Sequence, residues 1–231
     1  MRVFYFIFSV LAYVIGVGSM AGLFYYVQFI VDRNLVPFTW NAVLWNCLLF
    51  LIFPLQHSLL ARPAIKKIFP STLERSIYVT TSGIAMWIIL FEWNRVGPIL
   101  YEVPSPWSYL IDALFYVTLI LIILTTREMD HWRMFGVSQG YATWKRTELP
   151  PGELKTSGLY AYIRHPLTSL FIVVLWCHAT MSMGRLWFNL WFTFYALAGT
   201  IFEERDLKRT FGQKYLLYER RVGAFVPRLN K

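Results

Sequence analysis

The residues best suited to chemistry are charged side chains that stand beside long apolar runs. Residues 157–166 end in Arg164, His165 and Pro166, directly before one such run. Proline is tolerated at the first position of a helix, because its missing N–H would be unpaired there. Arg164 and His165 should therefore precede a helix N-terminus, a place that favours a bound carboxylate or another anion. Side chains that reach towards lipid phosphates are the equally weighted alternative.

A pair of acids, Glu203 and Glu204, follows the last apolar run. We interpret that run as a helix that ends before the acids and, as one arm of a hairpin, returns them close to Arg164. Acids at a helix C-terminus oppose the helix macrodipole. Their negative charges must then be compensated by Arg164, a ligand hydroxyl or a ligand cation. The alternative is an amphipathic helix with solvated charges, which Lys208 and Arg209 would suit.

Polar residues also occur near the end of the second apolar run, at Gln56 and His57. Ionisable groups inside a membrane are costly, so a functional role is the first hypothesis. His57 titrates near neutral pH and could take a proton from a thiol or hydroxyl. A structural hydrogen bond between helices is the alternative. Residues 127–132 are also polar, and His131 among them could line a site or pack at the membrane interface.

The elements that must position these residues are apolar helices. Apolar residues make up 57% of the 231 positions and charged residues 15%, whereas a soluble domain has about a quarter charged residues. The pattern predicts an all-α, polytopic membrane helix bundle of about six transmembrane helices with a tight C-terminal helical hairpin. The predicted spans are residues 3–31, 42–60, 77–91, 107–124, 167–181 and 186–202. The last two are short, so a single re-entrant unit is the alternative to the hairpin.

Positive charge indicates the orientation of a single membrane domain covering residues 1–231. Of the 22 Lys and Arg residues, all but Arg33, Arg95 and Arg185 fall on the side that holds both termini. Because Lys and Arg accumulate in cytoplasmic loops, both termini are expected in the cytoplasm. Residues 125–166 and 203–231 would then form a cytoplasmic region. The net charge of +9 is explained by this bias, so we expect no nucleic-acid partner.

Signatures of several soluble enzymes are not found in the sequence. It has no G-x-G-x-x-G after a strand and no P-loop. A Rossmann-type cofactor site is therefore not indicated, and no ligand spacing argues for a metal.

Taken together, these motifs resemble the isoprenylcysteine carboxyl methyltransferase superfamily, and within it the bacterial methanethiol S-methyltransferases, which are related to nurim. The resemblance runs from about residue 50 to the C-terminus. It rests on Gly158-Leu159-Tyr160, Arg164-His165-Pro166 and Glu203-Glu204, and on the segments 56–63, 74–79, 130–136 and 203–207. Thr168 stands where family members usually carry tyrosine.

The resemblance implies that S-adenosylmethionine is the cofactor and that a small thiol is the substrate, with methanethiol giving dimethyl sulfide in a bacterial inner membrane. It implies cofactor contacts by Tyr160, Arg164, His165, Pro166, Glu203 and Glu204, catalytic roles for His57 and Gln56, and substrate contacts by His131 and Arg75. Two alternatives stay open. One is the same fold acting on a prenylcysteine carboxylate, a lipid or another acceptor, and the other is a non-enzymatic, nurim-like membrane protein.

Overall fold

Helices dominate the computed structural model, which describes residues 1–228. In chain order the helices are α1 (Arg2–Phe29), α2 (Trp40–Leu60), α3 (Pro63–Lys66), α4 (Glu74–Glu92), α5 (Trp107–Glu128), α6 (His131–Met134), α7 (Val137–Lys145), α8 (Pro166–Trp176), α9 (Met183–Phe211) and α10 (Gln213–Arg221). A 3₁₀ turn covers Gly158–Ala161, and the strands β1 (Ile99–Glu102) and β2 (Thr180–Ser182) form a two-stranded sheet. The prediction of an all-α membrane bundle is confirmed.

Three of the predicted spans are both long and apolar enough to cross a membrane by themselves. These helices are α1, α2 and α5, with 28, 21 and 22 residues. At 1.5 Å per residue, 21 residues extend about 32 Å, which matches a hydrocarbon core of about 30 Å. Large apolar side chains are exposed along all three, such as Phe4, Leu48 and Leu110. An apolar surface of this kind is suited to lipid and not to water.

The C-terminal hairpin forms, but its two arms differ from the prediction. The first arm, α8, has only 11 residues, about 16 Å, and ends at Trp176 instead of residue 181. The second arm, α9, continues to Phe211, so the prediction that it ends before Glu203 was wrong. The apolar run ends near residue 202, but the Glu, Leu, Lys and Arg residues that follow it are good helix formers and extend the helix.

The described residues form two compact units. The first contains residues 1–100, 130–151 and 182–185, and in it α1 packs on α4 and α7, while α2 packs on α4. The second contains residues 101–129, 152–181 and 186–228, and in it α5 packs on α8. The predicted single membrane domain stays a prediction.

Glycines let α1 and α4 approach closely. A Cβ on Gly16 would overlap Val79 Cγ1, and one on Gly83 would lie 2.9 Å from Ile15 Cγ2. Small residues at such contacts are typical of helices that pack within membranes. A Cβ on Gly18, in contrast, would meet nothing within 4 Å.

Replacing Gly16 with Ala should therefore destabilise the first unit. Overpacking of this kind costs about 1–3 kcal/mol, and it should lower the melting temperature of the detergent-purified protein. Gly18→Ala is the matched control in the same helix, where the gain in helix propensity of up to about 1 kcal/mol should leave the melting temperature equal or higher. Equal melting temperatures for the two variants would contradict the packing argument.

Candidate functional site

Arg164 forms the centre of a buried network in the second unit. Its Nη2 and Nε donate to Glu204 Oε1 at 2.5 and 2.9 Å. Its Nη1 donates to the backbone carbonyls of Val222 at 2.5 Å and Glu219 at 3.2 Å. Because all three nitrogens have protein acceptors, the guanidinium joins α9 to the C-terminal segment.

The backbone around Arg164 is tied to the same segment. The Arg164 N–H donates to the Gly223 carbonyl at 2.8 Å, and the His165 N–H donates to the Ala224 carbonyl at 3.0 Å. Pro166 then begins α8, so Arg164 and His165 do precede a helix N-terminus, as predicted. The C-terminal segment thus braces the start of α8.

His165 lies between the two acids. Its Nε2 is 3.1 Å from Glu204 Oε1, and its Nδ1 is 3.5 Å from Glu203 Oε2. Glu204 is therefore engaged by both Arg164 and His165. The Glu203 side chain is 55% exposed, so its carboxylate keeps room to accept hydrogen bonds from a ligand.

The network favours the charged forms of His165 and Glu204. Burial lowers the pKa of His165, but hydrogen bonds and the negative charges of Glu203 and Glu204 outweigh it and raise the pKa above the ordinary 6.5. Burial likewise raises the pKa of Glu204, but the hydrogen bonds and charges of Arg164 and His165 hold it below the ordinary 4.5. The site therefore combines fixed ions of both signs.

Tyr160 lies in the 3₁₀ turn next to this network and is buried. Its backbone carbonyl accepts a hydrogen bond from the Tyr218 hydroxyl at 2.6 Å. Burial, followed by the negative charge of Glu203, raises the pKa of the Tyr160 hydroxyl. Tyr160 is thus a neutral, anchored aromatic group beside the acids.

A third acid, Glu128 at the end of α5, belongs to the same surroundings. The sequence placed it in a polar segment but gave it no role. Gly158 has a φ of +58°, and a Cβ there would overlap both Glu128 carboxylate oxygens, so two independent constraints require glycine. Glu128 Oε2 is buried and has no hydrogen-bond partner within residues 1–228. An acceptor of this kind suits a ligand donor or cation.

In the first unit, the predicted catalytic residues connect α2 to α4. His57 Nδ1 lies 3.1 Å from Ser82 Oγ, and His57 Nε2 lies 2.5 Å from the Tyr78 hydroxyl. Gln56 Nε2 donates to Thr81 Oγ1 at 2.7 Å. Interhelical hydrogen bonds, the structural alternative for these residues, are therefore present. Sequence reasoning missed Tyr78 as a partner, although its segment carried the resemblance.

The predicted substrate residues Arg75 and His131 also lie in the first unit. Arg75 lies over the Tyr78 ring, with 5.1 Å from its Cζ to the ring centroid, and its Nε donates to the Met134 carbonyl at 2.5 Å. His131 Nε2 is 2.9 Å from the Tyr13 hydroxyl. These contacts tie α6 to α4 and to α1, and the substrate-binding roles stay predictions.

Fold and motifs together define a membrane helix bundle whose charged network surrounds an Arg-His-Pro helix start. The chain is 34% identical over 193 residues to methanethiol S-methyltransferase 2 of Bradyrhizobium diazoefficiens, covering 82% of this chain and 74% of that protein. It is also 34% identical over 207 residues to methanethiol S-methyltransferase of a Pseudomonas species, covering 87% and 80%. Nurim of Xenopus laevis is 28% identical over 252 aligned positions, covering 94% and 88%.

The chain belongs to the methanethiol S-methyltransferase family and is a membrane methyltransferase. This confirms the resemblance drawn from the motifs. No protein-family model matches the chain. No solved structure matches it either.

The raised pKa of His165 predicts a pH-dependent contribution to stability. A group whose pKa is higher in the folded state stabilises fully below its unfolded value, here about 6.5, and this stabilisation is lost as the pH rises through the folded pKa. Glu204, whose pKa is lowered, stays ionised over this range. The melting-temperature difference between the wild type and His165→Gln should therefore be larger at about pH 6 than at about pH 9.

A second variant checks the cause of that shift. Glu203→Gln removes the largest stabilising partner of the protonated imidazole, so the pH dependence attributed to His165 should become smaller in this background. If wild type and His165→Gln differ in melting temperature by the same amount at about pH 6 and about pH 9, the raised pKa of His165 is refuted.

Proposed function

We propose that this protein transfers a methyl group from S-adenosylmethionine to a small thiol, with methanethiol giving dimethyl sulfide. The observation that carries the proposal is the 34% identity, over most of the chain, to proteins named methanethiol S-methyltransferase. The charged network at the start of α8 supports it, because it offers acceptors for a cationic ligand.

The acids of the second unit fit the proposed cofactor. S-adenosylmethionine carries an ammonium group and ribose hydroxyls, which donate to carboxylates, and a sulfonium cation, which a negative charge stabilises. Glu203 is largely exposed, and Glu128 Oε2 lacks a hydrogen-bond partner among the described residues. We assign both to the cofactor's donors, with Tyr160 and Pro166 at its border. When bound, S-adenosylmethionine supplies an activated methyl group.

Arg164, His165 and Glu204 have a different role in this proposal. The Arg164 donors are occupied by Glu204 and two backbone carbonyls. We therefore assign Arg164 and Glu204 as positioning residues that fix α9 and the start of α8. His165 orients the Glu203 carboxylate, because its Nδ1 lies 3.5 Å from Glu203 Oε2. Preorganisation of this kind lowers the cost of aligning reactants.

The proposed reaction also requires removal of the thiol proton. A thiolate is a far better nucleophile than a thiol, so a base is needed near neutral pH. We assign this role to His57, whose imidazole has the Tyr78 hydroxyl 2.5 Å from Nε2. Gln56, fixed by Thr81, and the residues Arg75 and His131 complete the proposed acceptor side. Small apolar thiols dissolve readily in a bilayer, which suits a membrane enzyme.

The distribution of charge supports a location in a bacterial inner membrane with both termini in the cytoplasm. Apart from Arg33, Arg95 and Arg185, the Lys and Arg residues flank the predicted spans on one side. This orientation would place the Arg164 network on the cytoplasmic side.

The proposal is tested with purified protein, methanethiol and S-adenosylmethionine, by measuring dimethyl sulfide in the headspace. The wild type should form the product, and His57→Ala should lower kcat at least about 100-fold, the usual contribution of a general base. Tyr78→Phe should lower kcat less, because the imidazole remains. Cofactor binding without product would indicate another acceptor, and no cofactor binding would favour the non-enzymatic, nurim-like alternative suggested by the 28% identity to nurim.

Glu203→Gln provides a separate test of the cofactor site. Loss of one charge-assisted hydrogen bond should weaken S-adenosylmethionine binding about tenfold in calorimetry. Asp206→Asn is the matched control on the same helix, since Asp206 contacts only Arg209 among the ion pairs of the described chain. Equal affinities of Glu203→Gln and wild type would remove Glu203 from the site.

A further inference from the structure

A cavity outside the charged network opens in the first unit where α1 and α4 end. It has a volume of about 670 Å³, within the range of small-molecule sites. Half of the residues that line it are aromatic: Tyr25, Tyr26, Trp87, Phe91 and Trp93. Arg95 is the charged residue of the lining.

The helix packing described above builds this cavity. α1 and α4 run parallel, since Gly16 lies against Val79 and Gly22 lies against Trp87. A Cβ on Gly22 would lie 2.5 Å from Trp87 Cη2, so glycine allows the indole to approach α1 closely. The C-terminal ends of both helices then meet at the same level, where the chain leaves the apolar segments.

The loop that carries Arg95 is held by several hydrogen bonds. Asn46 Nδ2 donates to the Asn94 carbonyl at 2.8 Å, and Asn46 Oδ1 accepts from the Asn94 N–H at 2.9 Å. The Arg95 carbonyl accepts from the Val36 N–H at 2.8 Å. The backbone of Arg95 is therefore fixed at the cavity in advance of any ligand.

The Arg95 guanidinium has no hydrogen bond or ion pair within residues 1–228, although its charge acts on the Tyr26 hydroxyl. Asp32, whose charge also acts on that hydroxyl, is paired with Arg185 at 2.6 Å. The cavity therefore presents a positive charge that the surrounding residues do not neutralise. An anion is the complementary ligand.

We propose that this cavity binds the headgroup of an anionic phospholipid, with the phosphate on Arg95 and the glycerol and upper acyl chain against the aromatic wall. Arginine binds phosphate oxygens with two parallel N–H donors. Aromatic side chains favour the headgroup level of a bilayer, and the exposed fractions of Tyr25 and Phe91, 59% and 77%, leave the cavity open to lipid. This site is independent of the proposed methyl transfer.

Native mass spectrometry of the detergent-purified protein, titrated with phosphatidylglycerol or phosphatidylcholine, tests the proposal. Wild type should prefer phosphatidylglycerol, and Arg95→Gln should weaken its binding about tenfold. Arg33→Gln is the matched control, because Arg33 is an exposed arginine of the same unit outside the cavity lining. It should bind like the wild type.

Ala21→Trp keeps Arg95 but fills the cavity from an exposed position of α1. This variant should also weaken phosphatidylglycerol binding, and it provides the test if Arg95→Gln does not fold. Excess inorganic phosphate should not displace the lipid. Equal binding of both lipids, wild-type binding by both cavity variants, or displacement by phosphate would each overturn the proposal.

Discussion

The structure of the second unit depends on one interaction, the pairing of the buried Arg164 guanidinium with hydrogen-bond acceptors. An almost fully buried arginine is tolerated only when its donors are satisfied, and Arg164 meets this condition with Glu204 and the carbonyls of Glu219 and Val222. The requirement fixes three pieces of chain that are distant in sequence. It also gives the two acids different surroundings, because Glu204 pairs with Arg164 inside the protein, whereas the Glu203 carboxylate is exposed. The pairing of Glu204 thus positions its neighbour Glu203.

In the first unit, polar side chains within apolar helices likewise need hydrogen-bond partners. Asn46 near the start of α2 pairs with Asn94, and His57 near its end pairs with Tyr78 and Ser82. These two contacts fix α2 against α4 and the loop that follows it. Specific hydrogen bonds therefore set the register that apolar packing alone leaves loosely defined.

Much of this arrangement follows from sequence patterns, and the remainder does not. The apolar runs predicted where the helices lie. The predicted hairpin correctly placed Glu204 close to Arg164. Hydropathy could not show that α9 continues through its charged residues, because helix propensity persists where apolarity ends. The partners of His57 depend on the register of α2 against α4. The contact of Glu128 with Gly158 joins residues thirty positions apart, and one sequence carries no signal for it.

The unbroken course of α9 has a consequence for how the protein responds to its lipid environment. A helix of 29 residues extends about 44 Å and behaves as one rod. Glu203 and Glu204 are thus carried on the same rod as the apolar side chains that precede them. A hydrocarbon layer thinner than the apolar length of such a rod tilts or shifts it, so bilayer thickness sets how deeply the two carboxylates are hydrated.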